Sequence, residues 1–287
     1  MGRYQDGHYT GERALFRVSD ASIERCLFDE GESPLKESRN LRISHSSFGW
    51  KYPLWYGKGH EVSECLFQES ARSGIWYTED SSFLRCDFVA PKLFRRCRGI
   101  AIAASKFENA AETLWSCRNV SLKSVRLKGD YVLKDCEDVS LEDVVIDGNY
   151  ALDGAKNVRI KHCILNTKDA FWNCENVVIE DSIINGEYFA WNSRNVTLIA
   201  CRVASNQGFC YMENVKLVRC ALQGTDLCFE YCSGIDADIV DDIISVKNPT
   251  SGIIRARAIG EVILDENRRP GADCQILVGL DAEERHG

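Results

Sequence analysis

Three carboxylates recur in the polar half of a repeated unit near the middle of this 287-residue chain. They are Asp153, Asp169 and Glu187. Two carboxylates that flank a bond can act as general acid and general base, which is the chemistry of glycoside hydrolysis. We therefore take these three as candidate catalytic residues. Carboxylates on solvated turns are also common, so the sequence does not decide whether the protein is an enzyme.

Aromatic residues accompany the carboxylates at similar spacing, and we predict that they face outward because the tryptophan position also accepts Lys134 and Asp153. The candidate substrate-binding residues are Trp55, Trp76, Trp115, Tyr150, Trp172, Tyr188, Trp191, Tyr211 and Tyr231. Aromatic rings beside carboxylates suit sugars, which favours an elongated saccharide groove. Aromatics are also enriched at protein interfaces, so a loop or a second copy could cover them instead.

These residues belong to a 19-residue repeat that is clearest in the middle of the chain. One nine-residue motif begins at Asn119, Asp138, Asn157, Asn176, Asn195 and Asn214. Within each copy, apolar and mostly β-branched residues alternate with polar ones, as is typical of short strands. A fixed period of this length indicates stacked units. The sequence therefore predicts an all-β fold, a parallel β-helix with one coil per repeat and a ladder of asparagines.

One inward apolar position of the repeat recurs from Ile23 to Ala237, which predicts about twelve coils. We expect a single domain over residues 1–287, with an architecture like that of the pectate lyases. Residues 1–17 are predicted to form an N-terminal cap, 18–244 the coils, 245–280 a C-terminal cap and 281–287 a tail. Caps are expected because the end of a β-helix exposes unpaired strand edges.

The 14 cysteines fall mostly in two columns of the repeat, where Ser, Ala or Val replaces them in other copies. Such exchange marks small buried positions, where a free cysteine behaves as a small apolar residue. Stacked thiols such as Cys97, Cys117 and Cys136 would form a line rather than a tetrahedron, and no CxxC motif occurs. We expect packing rather than a metal thread, and we predict no metal and no cofactor.

The overall charge bears on partners and on location. The chain has 43 acidic and 35 basic residues and a formal net charge of −8. An acidic protein is a poor partner for a polyanion, so we expect no nucleic-acid binding. No apolar stretch has the length of a signal region or a membrane span. We therefore expect a cytoplasmic protein without a membrane partner.

Several stretches outside the core repeat resemble an uncharacterised bacterial family of single right-handed β-helix proteins. They are GERALF from Gly11, LKES from Leu35, YPLW from Tyr52 and SVKNP from Ser245. The resemblance implies a right-handed β-helix in a bacterial cytoplasm. It implies no activity, and no catalytic residue can be carried over from it.

The leading functional prediction is a protein that binds or acts on a carbohydrate through an outer face of aromatic and acidic residues. An oligosaccharide is then the expected ligand. The alternative is a non-enzymatic scaffold that self-associates, with the same aromatic residues as the interface of a homo-oligomer.

Overall fold

The computed structural model describes residues 2–222 and 224–279. Within them the chain forms 28 strands and one short 3₁₀ helix, Glu69–Ala71. It divides into two compact units, Met1–Asp147 and Gly148–Gly287, and each is described by itself. In the described part of the chain, no helix has the length and apolar character needed to cross a membrane.

In the first unit, the odd-numbered strands form one parallel sheet and the even-numbered strands form another. The odd-numbered strands are β1 (Gly2–Gln5), β3 (Ser19–Glu24), β5 (Arg39–Ser44), β7 (Glu61–Ser63), β9 (Glu79–Leu84), β11 (Arg98–Ala103), β13 (Arg118–Lys123) and β15 (Glu137–Glu142). The even-numbered strands are β2 (His8–Tyr9), β4 (Leu27–Phe28), β6 (Ser47–Phe48), β8 (Leu66–Phe67), β10 (Asp87–Phe88), β12 (Lys106–Phe107), β14 (Arg126–Lys128) and β16 (Val145–Asp147). Each strand pairs with its equivalent one coil away, which is the topology of a parallel β-helix.

The second unit repeats this topology. Its first sheet contains β17 (Lys156–Lys161), β19 (Glu175–Glu180), β21 (Arg194–Ile199), β23 (Glu213–Cys220), β24 (Ser233–Ile239), β26 (Gly252–Ala256) and β28 (Gln275–Val278). Its second sheet contains β18 (Ile164–Asn166), β20 (Ile183–Asn185) and β22 (Arg202–Ala204). A further parallel pair joins β25 (Asp242–Lys247) to β27 (Ala258–Ile263).

The predicted right-handed parallel β-helix is confirmed, but the predicted number of coils is too low. The first sheets of the two units hold eight and seven strands, so the described chain forms about fifteen coils rather than twelve. Residues 2–17, which belong to the predicted cap 1–17, form a coil in which Tyr4 pairs in register with Ile23. The described part of the predicted cap 245–280 likewise contributes β26, β27 and β28. Both regions lack the repeat motif, and the predicted tail 281–287 lies outside the described residues.

The core consists of side-chain columns that run from coil to coil. The predicted inward residues Ile160, Ile179 and Leu198 pair in register and are at most 2 % exposed. In the first unit, Phe48 and Phe67 stack with ring centres 4.8 Å apart, one coil from each other. Like residues therefore cover one another along each column, as the repeat predicted.

Left-handed residues turn the chain at the corners of each coil. Asn176 and Asn195 have φ of 58° and 54°, a conformation that asparagine tolerates better than most residues. Their side chains form the predicted ladder. Asn176 donates from Nδ2 to Oδ1 of Asn157 over 3.0 Å, and Asn195 donates to Asn176 over 2.9 Å.

The cysteines are free thiols, and the predicted burial of both columns is confirmed. The backbone N–H of Cys97 donates to Sγ of Cys117, and that of Cys117 donates to Sγ of Cys136, each over 3.4 Å. The Cys136 thiol donates in turn to the carbonyl of Leu114 over 2.8 Å. Burial raises the pKa of Cys97 and Cys136 well above the usual thiol value. These sulfurs act as packed hydrogen-bonding groups of the core.

Candidate functional site

In the first unit, the predicted binding residues Trp55, Trp76 and Trp115 lie on one corner of the coils together with Arg95. The rings of Trp55 and Trp76 stack with centres 5.2 Å apart and planes 10° apart. The Arg95 guanidinium continues this stack, 4.7 Å from the centre of Trp76 and 4.5 Å from that of Trp115. The ring faces therefore meet a neighbour in the next coil, and mainly ring edges are left for solvent.

The indole nitrogens of this corner are already hydrogen-bonded. Trp55 donates to the carbonyl of Ser73 over 2.6 Å, and Trp76 donates to that of Lys92 over 2.8 Å. Trp115 donates to a backbone carbonyl of the following coil in the same way. With faces and N–H groups both engaged, these tryptophans stiffen the corner and leave little for a sugar ring to stack on.

The second unit builds a similar corner from Trp172 and Trp191, whose rings stack 5.7 Å apart with planes 13° apart. Their indole nitrogens donate to the carbonyls of Tyr188 and Gln207 over 2.8 and 2.6 Å. Tyr188 packs edge-on against Trp191 at 5.5 Å, and Tyr150 packs edge-on against Trp172 at 6.5 Å. Tyr150 and Tyr188 thus brace the tryptophans from one side.

Tyr211 and Tyr231 lie on the other side of the same corner. The Tyr211 ring centre is 5.3 Å from that of Trp191 and 5.3 Å from that of Tyr231. Arg269 lies 5.3 Å from the centre of the Tyr231 ring. At 41 % exposure, Tyr211 is the most accessible of the nine predicted aromatic residues. It is the one that can offer an aromatic surface to a ligand.

The three predicted catalytic carboxylates occupy different environments. Asp169 is only 4 % exposed, receives a hydrogen bond from Tyr150, and has its pKa raised by burial. Glu187 lies one coil away, is exposed, and forms an ion pair with Lys168 at 3.1 Å. A glycosidase pair requires both carboxylates to reach the scissile bond. Asp169 and Glu187 are neighbours, but the burial of Asp169 keeps its carboxyl group largely away from solvent.

Asp153 accepts a hydrogen bond from Asn173, which lines an open depression of about 340 Å³ beside Tyr211. We call this depression the corner groove. Its lining residues come from successive coils of the second unit: Lys156, Asn173, Cys174, Glu175, Asn192, Ser193, Arg194, Tyr211 and Glu213. Because equivalent residues of each coil line it, the groove follows the direction in which the coils stack.

Hydrogen-bonding groups form both walls of the corner groove. On one wall, Asn192 donates from Nδ2 to Oδ1 of Asn173 over 2.8 Å, and Asn173 donates to Oδ1 of Asp153 over 3.0 Å. On the other wall, Arg194 donates to Glu175 over 2.8 Å. The groove therefore presents amide, carboxylate and guanidinium groups in rows, with one row member per coil.

The first unit has a depression at equivalent positions of the repeat. It measures about 540 Å³ and is lined by Arg17, Ser19, Glu37, Arg39 and Tyr56. Arg17 donates to Glu37 over 2.8 Å. Tyr56 is 48 % exposed and stacks on a neighbouring tyrosine ring at 4.7 Å. An exposed tyrosine beside rows of polar residues is thus a property of this corner in each unit.

Apart from Tyr211, the residues that line the corner groove are not among those predicted from the sequence. Asn173 and Asn192 precede strands β19 and β21 by two residues, and Glu175 and Arg194 begin those strands. A signal was present in the sequence, because the first strand residue alternates in charge from Lys156 to Glu175 to Arg194. Charge alternation alone does not indicate a groove, because opposite charges also pair between strands on solvated sheet faces.

A buried serine–histidine pair elsewhere in the first unit does not form a nucleophilic site. His60 accepts at Nδ1 from the N–H of Leu41 over 3.4 Å, so Nε2 carries the proton and donates to Oγ of Ser38 over 3.2 Å. Ser38 donates onward to the carbonyl of Leu35 over 2.7 Å. Burial lowers the pKa of His60 to about 4. Both groups are committed to backbone partners, and His60 has no free nitrogen to act as a base.

Metal-binding clusters are also absent from residues 2–222 and 224–279, where no group of three or more His, Cys, Asp or Glu side chains could hold an ion.

This chain is a parallel β-helix protein, as its strand topology, its stacked side-chain columns and the corners of its coils show. The chain belongs to the family described as Protein of unknown function (DUF3737), whose model matches residues 2–277.

Comparison with other proteins adds two structural likenesses. No curated protein matches the sequence. The chain is similar to PfbA, a surface adhesin of Streptococcus pneumoniae, with 10 % identity and a TM-score of 0.49 over 80 % of this chain and 85 % of that chain. It is also similar to a mutant tailspike protein of E. coli bacteriophage HK620 in complex with a pentasaccharide, with 10 % identity and a TM-score of 0.41 over 96 % and 70 % of the two chains.

Proposed function

We propose that this protein binds an extended oligosaccharide in the corner groove of its second unit. The observation that carries the proposal is the row of hydrogen-bonding groups formed by Asn192, Asn173 and Asp153 beside the exposed ring of Tyr211. Proteins that bind sugars typically combine such polar rows with an aromatic surface, because a sugar has both hydroxyl edges and apolar faces.

The geometry of the groove suits a linear polymer. Neighbouring coils of a parallel sheet lie about 4.8 Å apart, so equivalent side chains recur at that interval along the groove. Amide groups both donate and accept hydrogen bonds, and carboxylates accept them. A hydroxyl group also donates and accepts, so it can bond to either kind of wall residue. The Arg194–Glu175 pair supplies charged partners on the facing wall.

The tryptophans have a supporting role in this proposal. Trp191 packs against Tyr211, and Trp172 packs against Trp191, so the two indoles hold the tyrosine at the groove edge. The alternative function, self-association through the tryptophans, is less well supported because their faces and indole N–H groups already have partners within the chain. Binding is proposed without turnover, because Asp169 is nearly buried and Glu187 is paired with Lys168.

Isothermal titration calorimetry with neutral and acidic linear oligosaccharides tests the proposal. We expect saturable binding that Tyr211→Ala and Asn192→Ala each weaken by about tenfold, the effect of losing one good contact. Ile183→Ala, at an exposed apolar residue on strand β20 of the same unit, is the matched control and should bind normally. Absence of binding to both ligand sets by the folded protein contradicts the proposal, as does equal weakening by the control.

A further inference from the structure

In the part of the chain that the structure describes, the last strands of the second unit leave two strand edges open. Strand β28 ends its sheet and pairs only with β26, and β27 pairs only with β25 among the described residues. The outer edge of each strand carries backbone N–H and C=O groups that can pair with another strand. Such edges are the usual template for association between chains.

The apolar columns of the core also end uncovered at this point. Val246 is fully buried, whereas Val262, its partner in register, is 42 % exposed. Ala256 is fully buried, whereas its partner Val278 is 55 % exposed. Apolar columns that are buried inside the β-helix therefore end in exposed side chains on the last described coil. We call the surface formed by β27 and β28 the terminal face.

The terminal face lacks the charges that normally keep strand edges apart. Among the ten residues of β27 and β28, only Glu261 is charged. The first strands of the chain are different, since Arg3 in β1 pairs with Glu24 and His8 in β2 pairs with Asp29. Natural edge strands that remain single are usually protected by charges or proline. An apolar edge is thus specific to the terminal face.

We propose that the terminal face is the interface of a homodimer, in which a second copy binds through the same face about a two-fold axis. Strand β28 pairs with β26 and therefore lies one coil beyond β27, which follows β26 in the same coil, so the terminal face is stepped. A second copy presents the same two apolar edges with the same step between them. A two-fold axis sets facing edge strands antiparallel, the arrangement in which both outer edges can pair.

The charge around the terminal face permits this contact. Residues 257–273 carry three basic and four acidic side chains: Arg257, Arg268, Arg269, Glu261, Asp265, Glu266 and Asp273. Two such faces do not repel each other strongly, although the whole chain has a net charge of −8. The remaining residues of the sequence, 280–287, contain only Leu280 and Ala282 as apolar residues. They are a poor match for an apolar surface that includes Val262, Leu277 and Val278.

Light scattering over a range of protein concentrations tests the dimer directly. We expect the mass to double with concentration, and we expect Val278→Lys and Val262→Lys each to raise the dissociation constant at least about tenfold. Ile183→Lys introduces the same charge at an exposed apolar residue of β20 and should leave the dimer intact. Circular dichroism of each variant shows whether it is folded. Tyr211→Ala should also leave the dimer intact, which separates this proposal from the saccharide groove.

Amide hydrogen exchange of the protein without substitutions is a second test of the dimer. We expect the amides of β28 that do not bond to β26 to gain protection as concentration rises. A monomer at every concentration overturns the proposal, and so does a dimer that Ile183→Lys disrupts as strongly as Val278→Lys. Association that appears only after residues 280–287 are removed also overturns it, because the chain itself would then cover the face.

Discussion

The guanidinium carbon of Arg95 lies 4.7 Å from the centre of the Trp76 ring and takes the place that a ring occupies elsewhere in the stack. Arginine can do this because its charged group is planar and is attracted to the face of an aromatic ring. Trp115 covers the opposite side of the guanidinium at 4.5 Å. Arg95 therefore joins two groups of stacked rings into one corner, and its carboxylate contact with Glu112 is secondary at 3.4 Å.

Replacement of Arg95 should weaken the first unit. We expect Arg95→Ala to lower the free energy of unfolding by about 1–2 kcal/mol, because it removes two cation–π contacts and the packing of the side-chain stem. Urea unfolding monitored by tryptophan fluorescence measures this. Arg98→Ala, at an exposed arginine that begins β11, should change stability by less than about 0.5 kcal/mol. Equal effects of the two substitutions would show that the stack contributes little.

Buried His60 should make stability depend on pH. Its pKa is about 4 in the folded protein and about 6.5 when unfolded, so the unfolded chain binds a proton first as pH falls. Its contribution is complete above pH 6.5 and is lost between pH 6.5 and 4, for a total of about 3 kcal/mol. The free energy of unfolding, measured at several pH values, should fall less steeply between pH 6.5 and 4 in His60→Asn than in the natural protein. We call this fall the slope. Exposed His162→Asn should retain the slope, and a retained slope in His60→Asn would contradict the assignment.

When a ladder asparagine is replaced, its positive φ should decide whether the alanine or the glycine variant is the more stable. Asn176 has a φ of 58° and bonds to an asparagine on each side. Both Asn176→Ala and Asn176→Gly lose these bonds, but glycine adopts positive φ without strain. We expect the free energy of unfolding of Asn176→Ala to be lower than that of Asn176→Gly by about 1 kcal/mol. At Arg159, an exposed strand residue without positive φ, the order should be reversed. Thermal unfolding of the alanine and glycine variants at Asn176 and at Arg159 measures both orders of stability.

Thiol labelling should separate Cys274 from the other cysteines. It is partly exposed, whereas the other 13 are buried. Burial raises the pKa of Cys274 to about 11, so its reactive thiolate is scarce at neutral pH. We expect mass spectrometry to find one slowly added maleimide in the native protein, faster at higher pH, and 14 after denaturation. Native Cys274→Ser should not be labelled, and additional labelling of it would show that the columns open.

The repeat made the core predictable from the sequence. Residues such as Ile160 and Ile179 recur every 19 residues, and a column of like apolar residues can be buried only if equivalent strands stack in register. The end coils were less predictable because their strands keep the backbone pattern of the fold without its sequence motif. Tyr4, for example, pairs with Ile23 although the residues around it do not match the repeat.

The candidate site shows where the sequence alone reaches its limit. The sequence determined that Trp172 and Trp191 share one column and that Tyr211 lies in the column next to it, because periodic spacing fixes which residues share a column. The tertiary structure decided that the indoles stack along the column and donate to backbone carbonyls, while Tyr211 stays open beside Asn192 and Asn173. Those outcomes depend on left-handed corner residues and on contacts between coils. Neither is encoded in the spacing, so only the folded chain separates a supporting ring from an accessible one.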